Sequence, residues 1–162
     1  MHEIEQLEKS IGYVFNDKKL LDLAITHSSF GTNPNDPCNE RLEFLGDAVL
    51  ELSVSDFLYK NYKMSEGELS RFRANIVCET SLAKVARKYD IGKFLKIGHG
   101  EETSGGRKKN SILADATEAL FGAMFLDSGF EQTKNKIIEM LKSTEDIIDQ
   151  KNAIDPKSKL QE

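Results

Sequence analysis

Apolar residues recur at helical spacing along nearly the whole chain, and no stretch alternates with the period of two that a half-buried strand needs. This pattern predicts an all-α fold. Ile4, Leu7 and Ile11 mark a short first helix ending near Gly12. Asp17 is placed to cap a second helix that runs through Leu20, Leu21, Leu23 and Ala24 to about Thr26. Residues 31–39, with Pro34 and Pro37, read as a loop. A long helix then begins at Glu40 and extends to about Tyr59. Ser65 followed by Glu68 has the form of a capping box, in which hydroxyl and carboxylate satisfy unpaired backbone donors at a helix start. Further helices are expected over residues 80–89, stopped by Gly92, over 111–126, stopped by Gly129, and from 131 to about 148. Residues 98–110 hold four glycines and the run Arg107-Lys108-Lys109 without the Gly-Lys-Ser/Thr ending of a nucleotide loop, and read as a connector.

With 162 residues, the chain can bury roughly 70% of its unfolded surface and needs no disulfide or metal staple to build a core. The longest apolar stretches fall far short of the ~20 residues of a membrane-spanning helix. The acidic N-terminus lacks the pattern of a secretory signal, so a cytoplasmic location is expected. Cys38 and Cys78 stand far apart, and His2, His27 and His99 form no metal-binding spacing, so these read as structural thiols and incidental histidines. The net charge of −5 argues against a nucleic-acid partner, but its distribution does not: from Arg71 to Lys109 ten Lys or Arg stand against four acids. That basic third is either a solvated face or a surface that tracks phosphates.

Two helices carry candidate chemistry. On the long one, Glu40, Glu43 and Asp47 fall within a ~60° arc with Glu51 beside them, while Leu42, Leu45, Val49 and Leu52 form a separate stripe expected to face the core. The other, residues 112–126, is apolar on every side yet carries Asp115 and Glu118 one turn apart. Burying two carboxylates costs several kcal/mol each unless arginines, raised pKa values or a cation compensate. If the two helices cross, Glu43, Asp47, Asp115 and Glu118 bring four hard oxygen ligands to one point, suited to Mg²⁺ or Mn²⁺. Phe44 lies off the core stripe beside the acids, where either a neighbouring helix or a second subunit would cover it.

Residues 39–50, Asn-Glu-Arg-Leu-Glu-Phe-Leu-Gly-Asp-Ala-Val-Leu, closely resemble the signature of the bacterial ribonuclease III endonuclease domain. Residues 111–120, Ser-Ile-Leu-Ala-Asp-Ala-Thr-Glu-Ala-Leu, resemble that family's other acidic helix. Weaker likenesses at Thr26-His27-Ser28-Ser29 and at Glu66-Gly67-Glu68-Leu69-Ser70-Arg71 extend the match over about residues 3–148. The resemblance implies an endonuclease domain over 1–150, followed over 151–162 by a linker and the truncated start of a double-stranded-RNA-binding domain. It implies a homodimeric, all-α enzyme that cuts double-stranded RNA with Mg²⁺, or Mn²⁺ as a substitute, in the processing of rRNA and mRNA precursors. The products would carry 5′-phosphate and 3′-hydroxyl ends with short 3′ overhangs. Carried over by position, Glu43, Asp47, Asp115 and Glu118 are the metal-binding catalytic acids, Glu40 and Glu66 line the same valley in accessory roles, and Phe44 is the aromatic knob of the dimer.

Two other classes share part of this pattern. Helical nucleotide pyrophosphohydrolases also hang Glu-x-x-Glu pairs around Mg²⁺, and a non-enzymatic RNA-binding protein would bind duplexes without metal-dependent cutting.

Overall fold

The computed structural model describes residues 2–144, and among these the fold is all helical, with no strand beyond a single bridge. The expected second segment, 151–162, lies outside the described residues, as does the expected end of the last helix near residue 148.

In chain order the helices are α1 (His2–Ile11), α2 (Lys18–Ala24), α3 (Glu40–Asn61), α4 (Glu66–Val77), α5 (Glu79–Lys88), α6 (Ile91–Phe94), α7 (His99–Thr103), α8 (Asn110–Ser128) and α9 (Phe130–Ser143). Short 3₁₀ turns at Ser28–Phe30 and Gly106–Lys108 punctuate the connections. Local sequence chemistry sets several boundaries. The Asp17 side chain accepts from the Lys19 amide at 3.0 Å to start α2. Ser65 and Glu68 form the full capping box at the start of α4. Gly129, at φ +89°, ends α8 where a side chain would be strained.

Helix α8 is the axis of the domain. It packs most extensively on α3 and then on α5, α2 and α9, and every residue from Ile112 to Met124 except Asp115 is buried. Around it, Leu7, Leu21, Leu50, Phe72, Leu82, Leu120, Phe121 and Ile137 build one continuous core. The crossing of α3 and α8 is unusually close, with backbone meeting backbone at Gly46 and Gly122. None of the described helices is long and apolar enough to cross a membrane.

Three expectations need correction. The buried face of α3 is Leu42, Gly46, Val49, Leu50, Ser53, Val54 and Leu58; Leu52, assigned to the core stripe, is instead exposed. The close Gly46 contact turns α3 so that Leu50 and Val54 face inward and Leu52 faces out. Helix α5 stops before Gly92, at Tyr89 and the left-handed Asp90 (φ 55°), and Gly92 lies inside α6. Finally, residues 98–110 are no plain connector: α7 and a 3₁₀ turn fill most of the segment. Arg107 ties it down by donating to the carbonyls of Gly92 and Leu95 and pairing with the Glu102 carboxylate.

Candidate active site

The start of α3 is held by Asn39. Its amide donates to the Thr26 carbonyl at 2.8 Å, its side-chain amide donates to the Ala24 carbonyl at 3.1 Å, and its own carbonyl accepts the first helical bond, from Glu43. The first two turns of α3 thereby project Glu40, Glu43 and Asp47 beside α8, from which Asp115 and Glu118 project back. Carboxylate oxygens of Glu43, Asp115 and Glu118 all lie within 4.8 Å of one another. Asp47 lies next to this group, close enough to act on both Glu118 and Glu43.

Electrostatics follow from this crowding. Burial pushes Glu118 up to about 9, reinforced by the adjacent Asp47 and by the charges of Glu43 and Asp115. Burial pushes Glu43 up to about 7, with Asp115, Glu40 and Asp47 adding to the shift. Asp115 is raised too, chiefly by burial and partly by Glu79, while the adjacent Glu43 and the nearby His27 act the other way. The influences on Glu118 are burial and other acids, so the compensation here is by retained protons and not by buried arginine. A clustered set of hard oxygen donors holding protons that a divalent cation would displace fits a Mg²⁺ or Mn²⁺ site.

The comparisons with known proteins agree with the helical core. A family profile described as Ribonuclease-III-like matches residues 17–144. A "Ribonuclease 3" of Natranaerobius thermophilus is 47% identical over 99% of this chain and 70% of its own length. Another, from Caldanaerobacter subterraneus subsp. tengcongensis, is 52% identical over 96% of this chain and again 70% of the relative. The chain belongs to the ribonuclease III family. Its members are endonucleases of double-stranded RNA. A solved nuclease domain of ribonuclease III from Campylobacter jejuni superposes with a TM-score of 0.84 at 45% identity, covering 88% of this chain and 98% of that one. That domain is described as having structural flexibility in a region involved in dimer formation.

Within this ribonuclease III fold, three of the six anticipated acids, Glu43, Asp115 and Glu118, converge, with Asp47 and Glu40 within electrostatic reach of them. Glu66 does not join them. It opens α4, accepts from the Ser70 hydroxyl at 2.8 Å, and lines a cavity of about 410 Å³ with Leu52, Ser55, Tyr59 and Arg73. Ser55 stands twelve positions along α3 from Glu43, about 18 Å at 1.5 Å per residue. Glu51, expected beside the acidic arc, pairs with Arg73 at 3.3 Å. Phe44 is 83% exposed beside the acids, on a face of α3 that also bears Leu52 at 56% and Tyr59 at 79%. Two neighbours of Asp115 went unanticipated: Glu79, whose position at the start of α5 carries no motif, and His27, which lay in a quoted motif but read as incidental.

Proposed function

We propose that this chain hydrolyses double-stranded RNA with Mg²⁺, leaving 5′-phosphate and 3′-hydroxyl ends with short 3′ overhangs, and that Glu43, Asp47, Asp115 and Glu118 hold the metal. The carrying observation is the set of carboxylate oxygens within 4.8 Å that Glu43 of α3 forms with Asp115 and Glu118 of the buried α8, a crowding of hard oxygen donors that a divalent cation would neutralise. A bound divalent ion supplies Lewis acidity toward a phosphate and water acidified toward hydroxide. The chain's own part is positional. Glu118 beside Asp47 and Glu43 beside Asp115 would hold the ion, and the protons that burial and crowding favour on Glu118 and Glu43 would be given up as it bound. Glu40 adds negative charge at the rim. The natural substrates on this reading are rRNA and mRNA precursors in the cytoplasm.

The same reading makes the active form a homodimer. Phe44 is an exposed knob, and on the same face of α3 the cavity with Leu52, Leu58, Tyr59 and Leu69 in its wall offers a socket with an apolar floor rimmed by the polar Asp56, Glu66 and Arg73. A two-fold axis across α3 that seats each knob in the partner's socket also brings the socket's Glu66 to the acids that flank the knob. Glu66 thus serves the valley from across the interface. The deciding experiment incubates the purified chain with a labelled RNA duplex, with and without Mg²⁺. Metal-dependent cutting to 5′-phosphate ends supports the proposal. Cutting only of free nucleoside triphosphates, or duplex binding with no cleavage, overturns it.

A further inference from the structure

His27 follows Thr26, whose carbonyl anchors the head of α3, and lies within electrostatic reach of Asp115 in a setting that fixes which of its nitrogens carries the proton. Its Nδ1 accepts from the Ser29 amide at 3.1 Å and contacts the Ser29 hydroxyl at 2.8 Å. That hydroxyl oxygen in turn accepts from the Gly98 amide at 2.9 Å, which leaves its O–H to donate to Nδ1. An Nδ1 that faces two donors is unprotonated, so neutral His27 carries its proton on Nε2. Among the described residues Nε2 makes no hydrogen bond, and the ring lies within electrostatic reach of Asp115 and Glu101.

The backbone makes this arrangement rigid. The His27 amide donates to the Lys96 carbonyl at 2.9 Å, and its neighbour Thr26 accepts from Asn39 at the head of α3, one turn before Glu43. Gly98 approaches Ser29 so closely that a Cβ there would sit 2.2 Å from the Ser29 carbonyl oxygen. The cations of the segment that follows Gly98 are committed: Lys109 pairs with Glu101 at 2.8 Å, and Arg107 with Glu102. The groups shown to act on Glu43 and Glu118 are other carboxylates, so an anionic phosphate at these acids gains from a fixed N–H donor.

Resting on the reading above, we infer that His27 contacts the substrate, its Nε2–H donating a hydrogen bond to a non-bridging oxygen of the RNA phosphate seated at the acids of α3 and α8. No proton is transferred. The bond strengthens as charge builds on that oxygen in the transition state, which is where a fixed donor accelerates a reaction. A nitrogen that keeps its proton cannot ligate the metal, so His27 is distinguished from a fifth ligand.

Two amide substitutions separate this role from simple capping of the 3₁₀ turn. His27→Asn can still accept from the Ser29 amide but has no group at the Nε2 position; His27→Gln can place an N–H there but caps poorly. With Mg²⁺ and a labelled duplex under single-turnover conditions, His27→Asn is expected to slow cleavage about 100-fold, with duplex affinity in Ca²⁺ changed less than about threefold. His27→Gln should recover at least about a tenth of the wild-type rate. The opposite order, with Asn active and Gln impaired, means a structural cap and overturns the inference. So does full activity in both. Should either variant unfold, nitrogen NMR of the wild-type imidazole decides independently, because a neutral ring with its proton on Nδ1 has no Nε2–H donor and overturns the inference. Wild-type cutting in the same assay reports on the proposed function itself, so failure of that reading is seen separately.

Discussion

Gly46 rests directly on the Glu118 main chain: a Cβ added to Gly46 would lie 1.7 Å from the Glu118 carbonyl oxygen. The residue beside a proposed metal ligand on α3 is thus the contact that sets the position of another on α8. Gly46→Ala must push the helices apart, and because the obstacle is backbone it cannot be relieved by a rotamer change. We expect a loss of about 3 kcal/mol or more in denaturant unfolding, together with loss of metal-dependent stabilisation. A variant of wild-type stability would show that the helices can separate freely.

Glu118→Gln keeps side-chain size while removing an anionic ligand. Duplex cleavage should fall at least about 100-fold, with dimerisation unchanged in sedimentation. Without metal the melting temperature should hold or rise, since one crowded carboxyl no longer faces ionisation. A rate within a few-fold of wild type removes Glu118 from the ligand set.

Metal-free stability should fall with rising pH. Glu43 and Glu118 bind protons more tightly folded than unfolded, with folded values near 7 and 9 against an ordinary 4.5. Between about pH 5 and 9 the folded state therefore holds more protons, and the slope of unfolding free energy against pH is negative from these groups. The stabilisation is complete below the unfolded value and is lost as pH climbs through the folded ones. Melting scans across this range, with and without Mg²⁺, should show the largest metal-induced gain at the alkaline end. In Glu118→Gln the decline above pH 7 should flatten.

Phe44→Asp places a charge where the proposed interface needs an apolar knob. The cost is about 2 to 4 kcal/mol per site, incurred twice by symmetry. Sedimentation at micromolar concentration should show monomer, with helical content unchanged because Phe44 contributes nothing to the core of its own subunit. A persistent dimer would place the interface elsewhere.

The basic run at residues 107–109 divides under the structure. Arg107 and Lys109 already serve Glu102, Glu101 and backbone carbonyls. Neutralising Arg107 should lower the melting temperature and leave the salt dependence of RNA binding nearly unchanged. Lys108→Ala should instead flatten the log–log salt slope by about one contact. Equal effects of the two variants on the slope would contradict this division.

Sequence reading went furthest where burial and charge conflict. An all-apolar α8 carrying Asp115 and Glu118 announces its own contradiction, and the i, i+4 spacing of Glu43 and Asp47 supplies the matching face. Leu52 was misplaced because helical periodicity reports that an apolar stripe exists but not how far a close glycine contact rotates it. The ordered segment around Arg107 was missed because its bonds reach carbonyls at Gly92 and Leu95, which no side-chain pattern encodes. Glu66 resembled a site residue by motif, yet within one chain it opens α4 away from the acids, because a motif does not encode how the helix that carries it is placed.

The α3–α8 crossing also determines when the chain can become a nuclease. Glu43 and Asp115 are separated by 72 positions, and the segment between them contributes α4 to α7. No shorter piece of polypeptide contains a rudimentary version of the site. On the ribosome, the proposed acids of α3 emerge long before their counterparts, and remain isolated carboxylates in water until α8 threads into the core. The proposed site is therefore the product of the hydrophobic interior and not of either helix alone, and it is assembled only when α8 packs against α3.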